Sequence, residues 1–339
     1  MKSIAFFNHK GGVGKTTLVY HLAAMFSDLG VRVLAVDLDP QANLTAMCVD
    51  EEHFLELWPD GDHPDTMLGA VQPIMDGTGD VRLPGVVEVD PRFGLLAGDL
   101  GLSAFEGDLA QAWPNVLDRR VNAVRQTTAF ARIQRRAAEE WLADLVLIDV
   151  GPNLGALNRT ALIGAEHVVV PLAPDLFSLQ GMRNLGPTLR QWRSEWRDRY
   201  VRNQSSGVEL PEGEMQPLGY VVLQHAMRLD RPVLAYGRWM DQIPDAYRSE
   251  LLQTVDEHVS STVSDRYCLA TLKNYRSLMP LAMEARRPMF DLRPADGALG
   301  AQQDAVRRCY NDFRDLALRI ARALGIEPEL TTLMRRHAP

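Results

Sequence analysis

HKGGVGKTT, residues 9–17, lies between two different hydrophobic patterns. The apolar run before it, residues 3–8, is too short for a helix and predicts a buried strand. Apolar residues at helical spacing follow from Leu18 to Leu29, and the next residue, Gly30, is a typical helix stop. A second apolar run, residues 31–36, leads into the acidic segment DLDP and predicts another strand. The order of elements is therefore strand, glycine-rich loop, helix, strand.

The glycine-rich loop has the residue types of a phosphate-binding loop. Glycines allow backbone N–H groups to converge on phosphate oxygens, and the following helix presents its positive dipole end to the same anion. Lys15 can reach the β- and γ-phosphates of a nucleotide, and the Thr16 hydroxyl can ligate Mg²⁺. A fortuitous tight turn is the alternative. The candidate nucleotide-binding residues are Gly11, Gly12, Val13, Gly14, Lys15, Thr16 and Thr17.

A second acidic strand is predicted at residues 141–149, where an apolar run ends in Asp149. This pattern is typical of a fully buried parallel strand whose carboxyl end supports a metal through water, as in the Walker B motif. An aspartate that merely caps a strand-to-helix turn is the alternative interpretation. Together with the loop, the strand favours a Mg²⁺-nucleotide site.

KGGVGKTT, followed about twenty residues later by DLDPQAN, resembles the deviant Walker A ATPases of the ParA/Soj/MinD group. The resemblance implies that Lys10 reaches across a dimer interface to the nucleotide held by the partner subunit. It also implies that Asp39 orients the attacking water and supports the metal. The expected catalytic residues are thus Lys10, Lys15 and Asp39, and the expected metal-supporting residues are Thr16, Asp39 and Asp149.

Two further segments resemble this family, one of them with a departure. The family usually has Asp-x-Pro-Pro after the second acidic strand, whereas this chain has Asp-Val-Gly-Pro. Gly151 leaves that backbone freer than proline would, so hydrolysis or its stimulation could differ. The turn Arg286–Phe290 resembles the family's Gly-Lys-Pro-Ile turn against the base, so Pro288 and Met289 are expected to contact the base.

Alternating strands and helices predict an α/β fold with a doubly wound, mostly parallel sheet and the ligand at the carboxyl ends of the strands. Further strands are expected at residues 167–174 and 218–224. We interpret residues 1–339 as a single P-loop ATPase domain with insertions and a C-terminal packing helix. The insertions are expected at about 50–118 (loops and short helices over the nucleotide site), 194–217 (a polar surface excursion) and 228–270 (helical), and the packing helix at about 304–324.

Composition excludes several classes of protein. The chain has 339 residues, 46% of them hydrophobic, and no run approaches the roughly 18 apolar residues of a membrane span. Its three cysteines lie far apart, which argues against a zinc or iron–sulfur site and favours a reducing compartment. Neither a signal peptide nor an N-terminal helix-turn-helix domain is expected. We therefore expect a cytoplasmic protein without a membrane partner.

The net charge of −8 is unevenly distributed along the sequence. Residues 266–339 carry 13 basic and 8 acidic residues (+5), so the first 265 carry 23 basic and 36 acidic (−13). Such a basic region can bind DNA phosphates without sequence preference, although an ordinary solvated surface is the alternative. The resemblance implies nonspecific DNA binding by the ATP dimer. The candidate DNA-binding residues are Arg286, Arg287, Arg307 and Arg308.

The resulting hypothesis is a ParA-like ATPase that forms a homodimer with Mg²⁺ and ATP and hydrolyses ATP slowly. An activating partner, either a ParB-like protein or a cargo adaptor, is expected to stimulate hydrolysis, and DNA binding would associate the protein with the nucleoid. The expected role is plasmid or chromosome partition or cargo positioning. One alternative is a ParA-like regulatory ATPase of a defence or surface-assembly system. Another is a small-molecule ligase of the dethiobiotin-synthetase type.

Overall fold

A computed structural model describes residues 1–223, 233–254, 261–273, 275 and 277–326, with only the backbone for residues 233–236 and 263. The strands form one sheet in the order β3-β4-β2-β5-β1-β6-β7-β8. In chain order, β1 to β8 are Lys2–Phe6, Val33–Asp37, Val87–Asp90, Phe93–Leu96, Leu145–Asp149, His167–Leu172, Gln216–Leu223 and Cys268–Leu272. All neighbouring strands are parallel except β3 and β4. The predicted doubly wound α/β fold is therefore confirmed.

Helices cover both faces of this sheet. In chain order, α1 to α12 are Lys15–Asp28, Asn43–Cys48, Glu51–Leu57, Met67–Met75, Phe105–Asn115, Val121–Thr127, Ala129–Trp141, Ala156–Ile163, Leu176–Asn203, Val233–Tyr247, Met279–Ala285 and Ala301–Leu324. Within the described residues, every helix is too short or too polar to cross a bilayer.

The alternation of side chains in β1 explains why both faces need helices. Ile4 and Phe6 pack in the core shared with α1 and α12, whereas Ala5 and Phe7 pack in the core on the opposite face. All four side chains are fully buried. Parallel strands covered on both faces have nearly continuous apolar sequences, which is the pattern of residues 3–7.

Strand register brings the acidic strand ends together. Asp149, the last residue of β5, pairs in register with Phe6 at the end of β1 and with Asp37 at the end of β2. The glycine-rich loop leaves β1 at the same edge. The carboxyl edge of the sheet therefore carries both the loop and the acids.

The interpretation of residues 50–118 as loops and short helices was incomplete. Helices α3 to α5 lie there, but so do β3 and β4, and β4 is a fully buried parallel strand beside β2. Only four residues long, β4 (Phe93–Leu96) has too short an apolar run to be distinguished from a loop.

The interpretation of residues 194–217 as a surface excursion was wrong in its first half. Helix α9 continues to Asn203 because Trp192 and Trp196, one helical turn apart, are both buried against the sheet. Irregular chain follows until β7 begins at Gln216.

The interpretation of residues 228–270 as helical was correct only in part. Helix α10 covers Val233–Tyr247 and a π-helical turn covers Arg248–Leu252, after which Gln253 adopts a left-handed φ of 57°. The edge strand β8 was missed. Residues 228–232 and 255–260, and Gln224 of the expected strand 218–224, lie outside the described residues.

Candidate functional site

The loop between β1 and α1 has the backbone of an anion-binding turn. Gly12 and Gly14 have φ angles of 69° and 81°, in the left-handed region that favours glycine. A Cβ on Gly14 would also lie 3.1 Å from Leu223 Cδ1. Because Gly14 caps α1 without a side chain, the first N–H groups of the helix remain available for phosphate oxygens.

Lys15, the first residue of α1, faces the acidic edge of the sheet. Its side chain is buried, with 7% of the residue exposed, and lies near the carboxylates of Asp149 and Asp39. Burial lowers the pKa of Lys15, although the two negative charges oppose that shift. A buried ammonium group at the helix N-terminus is thus placed to meet phosphate oxygens.

Both carboxylate oxygens of Asp37 accept hydrogen bonds from neighbouring residues. Asp37 is fully buried, and one carboxylate oxygen accepts hydrogen bonds from the backbone N–H and the hydroxyl of Thr45, both at 2.8 Å. The other oxygen accepts the N–H of Asp39 at 3.3 Å. Burial raises the pKa of Asp37 despite these bonds. Asp37 therefore fixes the backbone that presents Asp39.

Asp149 is the opposite case, a buried acid without such partners. It is fully buried, and neither carboxylate oxygen makes a hydrogen bond of normal geometry within the described residues. Burial, followed by the charge of Asp37, raises the pKa of Asp149 well above its usual range, while the Thr16 hydroxyl and Lys15 act in the other direction. An unpartnered buried carboxylate is costly, and a bound cation with its water would remove that cost.

The donors at this edge fit Mg²⁺. Two carboxylates, Asp149 and Asp39, and the Thr16 hydroxyl are hard oxygen ligands of the type that Mg²⁺ prefers. Within the described part of the chain, no three His, Cys, Asp or Glu side chains converge as a metal-binding group. Mg²⁺ in nucleotide sites is held by one or two carboxylates together with substrate phosphates, so the sparse donor set is the expected one.

A cavity of about 430 Å³ lies beside the loop and is suited to a nucleoside. Its apolar wall includes Leu223, Leu272 and Met289, and Gly12 and Thr17 belong to the loop side. Of the two predicted base contacts, Met289 lines the cavity. Pro288 is not part of its lining.

His21 is a functional candidate that the sequence analysis missed. It is fully buried in α1, and its Nδ1 lies 2.7 Å from the Thr17 carbonyl oxygen, to which it donates. Its Nε2 accepts the N–H of Met289 at 3.0 Å, and its ring stacks on Phe313 with centroids 5.1 Å apart. Burial lowers the pKa of His21 to about 4, so the ring is neutral at pH 7. His21 thus joins the phosphate loop to the turn that lines the cavity.

Lys10, in the same loop, pairs with a different carboxylate from the two that lie near Lys15. Its ammonium group forms an ion pair with Asp175, the N-cap residue of α9, and lies 5.8 Å from the centroid of the Phe177 ring. Its backbone N–H donates to Asn8 Oδ1 at 3.0 Å. Asn8 Nδ2 in turn donates to the Pro171 carbonyl oxygen at the end of β6, at 2.7 Å.

The segment after Asp149 is held by two side chains that the sequence analysis did not single out. Asn158 Nδ2 donates to the Gly151 carbonyl oxygen at 2.8 Å. The Glu106 carboxylate accepts the N–H groups of Ala156 and Leu157 at the start of α8, at 2.5 and 2.8 Å. No local sequence signal links Glu106 to α8, because fifty residues separate them. Both contacts fix the chain that leaves the acidic strand.

The four predicted DNA-binding arginines lie on neighbouring elements. Arg286 and Arg287 lie in the turn that follows α11, and Arg307 and Arg308 lie on α12. Phe290, in that turn, packs against α12, with its ring 6.0 Å from the ring of Tyr310 and 5.8 Å from that of Phe313.

Two of these arginines have acidic neighbours. Arg287 pairs with Asp291 at 3.5 Å, and Arg307 pairs with Asp304 at 3.3 Å. Ion pairs on an exposed surface contribute at most about 1 kcal/mol, so the arginines can exchange these partners for phosphates.

Comparison with known proteins gives a consistent result. A family model described as an AAA domain matches residues 1–200. The chromosome-partitioning ATPase Soj of Thermus thermophilus is 35% identical over 199 residues, which cover 57% of this chain and 64% of that protein. The chromosome partitioning protein ParA of Caulobacter vibrioides is 30% identical over 195 residues, covering 57% and 64%. The chain thus spans less than two thirds of the length of these relatives.

Solved structures share the fold along nearly the whole chain. A Corynebacterium diphtheriae protein of known crystal structure superposes with a TM-score of 0.67 and 24% identity, over 96% of this chain and 99% of that one. A putative plasmid partition protein from Borrelia burgdorferi, bound to AMPPNP, gives a TM-score of 0.58 and 17% identity over 94% and 98%. At these identities the likeness concerns the fold alone.

Proposed function

The chain belongs to the AAA-domain family matched above, as a ParA/Soj/MinD-type P-loop ATPase, and from that premise we propose that it is an ATP-dependent switch. In this proposal two copies pair when each holds Mg²⁺ and ATP, and the pair binds DNA without sequence preference. Hydrolysis of ATP separates the copies. The fully buried, unpartnered carboxylate of Asp149 beside Lys15 is the observation that carries the nucleotide part of the proposal.

In this proposal, the residues that bind the phosphates, the metal and the base of one nucleotide all come from one chain. Residues Gly11 to Thr17 hold the phosphates through backbone N–H groups, and Lys15 contacts the β- and γ-phosphate oxygens. Thr16 and Asp149 support the metal, which when bound neutralises phosphate charge. The cavity beside Met289 holds the base.

Hydrolysis is attributed mainly to positioning and charge stabilisation. Asp39 orients the attacking water, and its Oδ1 is itself held by the N–H of Gln41 at 3.0 Å. Lys10 is proposed to contact the nucleotide of the second copy, which makes the reaction depend on pairing. Slow intrinsic turnover suits a timer that an activating partner, ParB-like or a cargo adaptor, accelerates.

The proposed cellular role is partition of a plasmid or chromosome, or positioning of another cargo, on the nucleoid in the cytoplasm. It is supported by the similarity to Soj and ParA and by the +5 charge of residues 266–339 against −13 in the remainder. Arg286, Arg287, Arg307 and Arg308 are the proposed DNA contacts.

The test is DNA binding measured by fluorescence anisotropy with and without Mg²⁺-ATP across a salt series. We expect binding that requires ATP and weakens with salt, with a log–log slope of about −0.9 for each phosphate neutralised. Arg308→Ala should weaken binding and reduce the slope by about one. Arg202→Ala, which removes an exposed arginine on α9, is the matched control and should change neither. Equal binding without nucleotide, or a flat salt response, would contradict the proposal.

A further inference from the structure

The contact between Lys10 and Asp175 joins the phosphate loop to the start of α9. Lys10 Nζ and Asp175 Oδ2 form an ion pair, and the two side chains are 28% and 24% exposed. The Phe177 ring, 5.8 Å from the ammonium group, adds a cation–π contact. In the single chain the Lys10 charge is therefore already engaged.

We propose that Asp175 is a positioning residue that holds Lys10 in the single chain, and that pairing of two ATP-bound copies requires this ion pair to break. The inference rests on the function proposed above, in which Lys10 contacts the nucleotide of the second copy. It adds a regulatory element: dimerisation is opposed until a nucleotide phosphate can replace the Asp175 carboxylate.

Asp175 is fixed in place by the helix that it caps. One oxygen accepts the N–H of Ser178 at 2.8 Å, while the other accepts the Lys10 ammonium. Ser178 Oγ accepts the N–H of Ala173 at 3.0 Å, which closes the loop between β6 and α9. Burial raises the pKa of Asp175, but Lys10 and the Ser178 N–H outweigh it and bring the pKa below its ordinary value. The carboxylate is thus charged and preorganised at pH 7.

The backbone around Lys10 is also fixed, so release concerns mainly the side chain. The hydrogen bonds through Asn8 tie the Lys10 N–H to the end of β6. On the other side, a Cβ on Gly181 of α9 would lie 3.2 Å from His9 Cε1, which shows how closely α9 approaches the loop. Rotation of a long, flexible lysine side chain is a far smaller change than movement of this packed loop.

Replacing the Asp175 carboxylate by a nucleotide phosphate as the partner of Lys10 is energetically feasible. A partly exposed ion pair contributes little to stability, because water screens it and both side chains lose freedom in forming it. A triphosphate offers several charged acceptor oxygens in place of one carboxylate, and hydrogen bonds between charged groups are the stronger ones. Leu176 and Phe177, beside the ion pair, are 51% and 72% exposed, so this corner also presents apolar surface that a second copy would cover.

The experiment is Asp175→Asn, with the dimer dissociation constant measured by analytical ultracentrifugation at saturating Mg²⁺-ATP. Asparagine caps a helix as well as aspartate does, so α9 keeps its cap while the charge that holds Lys10 is removed. We expect dimerisation to become about two- to tenfold tighter, with the thermal midpoint of the single chain lowered by no more than about 2 °C because only one weak ion pair is lost. Unchanged or weaker dimerisation would overturn the inference.

The matched control is Asp50→Asn, which makes the same change at another helix N-cap. Asp50 accepts the N–H of His53 at the start of α3 and does not contact Lys10. This variant should dimerise like the wild type. The double variant with Lys10→Ala should not dimerise; if Asp175→Asn restored dimerisation without Lys10, its effect would not act through Lys10 and the inference would be wrong.

These variants separate the inference from the proposed function. A wild type that stays monomeric at saturating Mg²⁺-ATP contradicts the proposed function, and the inference falls with it. A wild type that dimerises, with Asp175→Asn no tighter, contradicts the inference alone.

Discussion

Two lysines of one loop, five residues apart in sequence, have opposite surroundings. Lys15 is buried at the start of α1 beside the carboxylates of Asp149 and Asp39. Lys10 is partly exposed and paired with Asp175, on a different loop. Around Lys15, the glycine-rich loop, the start of α1 and two carboxylates come together within one chain, whereas Lys10 pairs with the N-cap residue of α9.

This difference suggests that the two lysines of one short motif have separate roles. Burial beside two carboxylates fixes the position of the Lys15 ammonium group, which supports its proposed role in binding phosphate within its own chain. A partly exposed ion pair leaves Lys10 exchangeable at small energetic cost. Substitutions at Asp39, Lys15, His21 and Gly151 test whether the two lysines have these separate roles.

Asp39→Ala tests whether the edge around Lys15 performs the chemistry. Loss of the residue that positions water should reduce ATP hydrolysis by about 10²- to 10⁴-fold, measured as phosphate release. The ATP-bound dimer should persist, because Lys10 and the phosphate loop are intact. Asp37→Asn would be a poor control, since Asp37 anchors the same turn; Asp28→Asn, at the far end of α1, is the better one. A dimer of Asp39→Ala that dissociates as fast as wild type would argue against its assigned role.

Lys15→Ala removes the buried cation itself. We expect ATP affinity to fall about 10- to 100-fold, since hydrogen bonds to charged groups contribute about 1.5–3 kcal/mol. Titration calorimetry with Mg²⁺-ATP measures this change. If Lys10→Ala weakened ATP binding as strongly as Lys15→Ala, the two lysines would not have separate roles.

His21 allows a test by pH, because it joins the loop to the cavity. Its folded pKa of about 4 is below the ordinary 6.5, so the unfolded chain binds this proton more readily between those values. Stability should therefore fall as pH falls through this window, by about 2 kcal/mol between pH 7 and pH 5. Chemical denaturation of wild type and His21→Asn at both pH values isolates this contribution, because the other titrating groups are common to both proteins. Equal pH dependence of the two proteins would contradict the buried neutral histidine.

Gly151→Ala should have the smallest effect. A Cβ there would lie 3.4 Å from Asp39 Oδ1, an ordinary contact at the close end of the range. Hydrolysis should change by less than about threefold, which corresponds to about 0.65 kcal/mol and is no more than the net contribution of one hydrogen bond. A large loss in phosphate release would mean that Asp39 needs the space that glycine leaves open.

Local patterns were sufficient to predict the core of the fold and the placement of the glycine-rich loop and the acids at one edge of the sheet. The loop, α1, and the acids at the ends of β2 and β5 are specified by contiguous sequence, and parallel strands bring their carboxyl ends to one edge. The contact between His21 and Met289 joins residues 268 positions apart, and that between Lys10 and Asp175 joins residues 165 apart. No periodicity in a single sequence reports such pairings. Short strands such as β4 were missed because four apolar residues do not define a period.

In the proposed switch, Lys10 contacts the nucleotide of the second copy, whereas Lys15 contacts the nucleotide of its own chain. Light scattering of wild type and Lys10→Ala, each with saturating Mg²⁺-ATP, tests this difference most directly, with calorimetry to verify that both bind ATP. We predict that the wild type doubles its mass, whereas Lys10→Ala binds ATP within about threefold of wild type and stays monomeric. A wild type that remains monomeric, or a Lys10→Ala variant that dimerises equally well, would contradict the account.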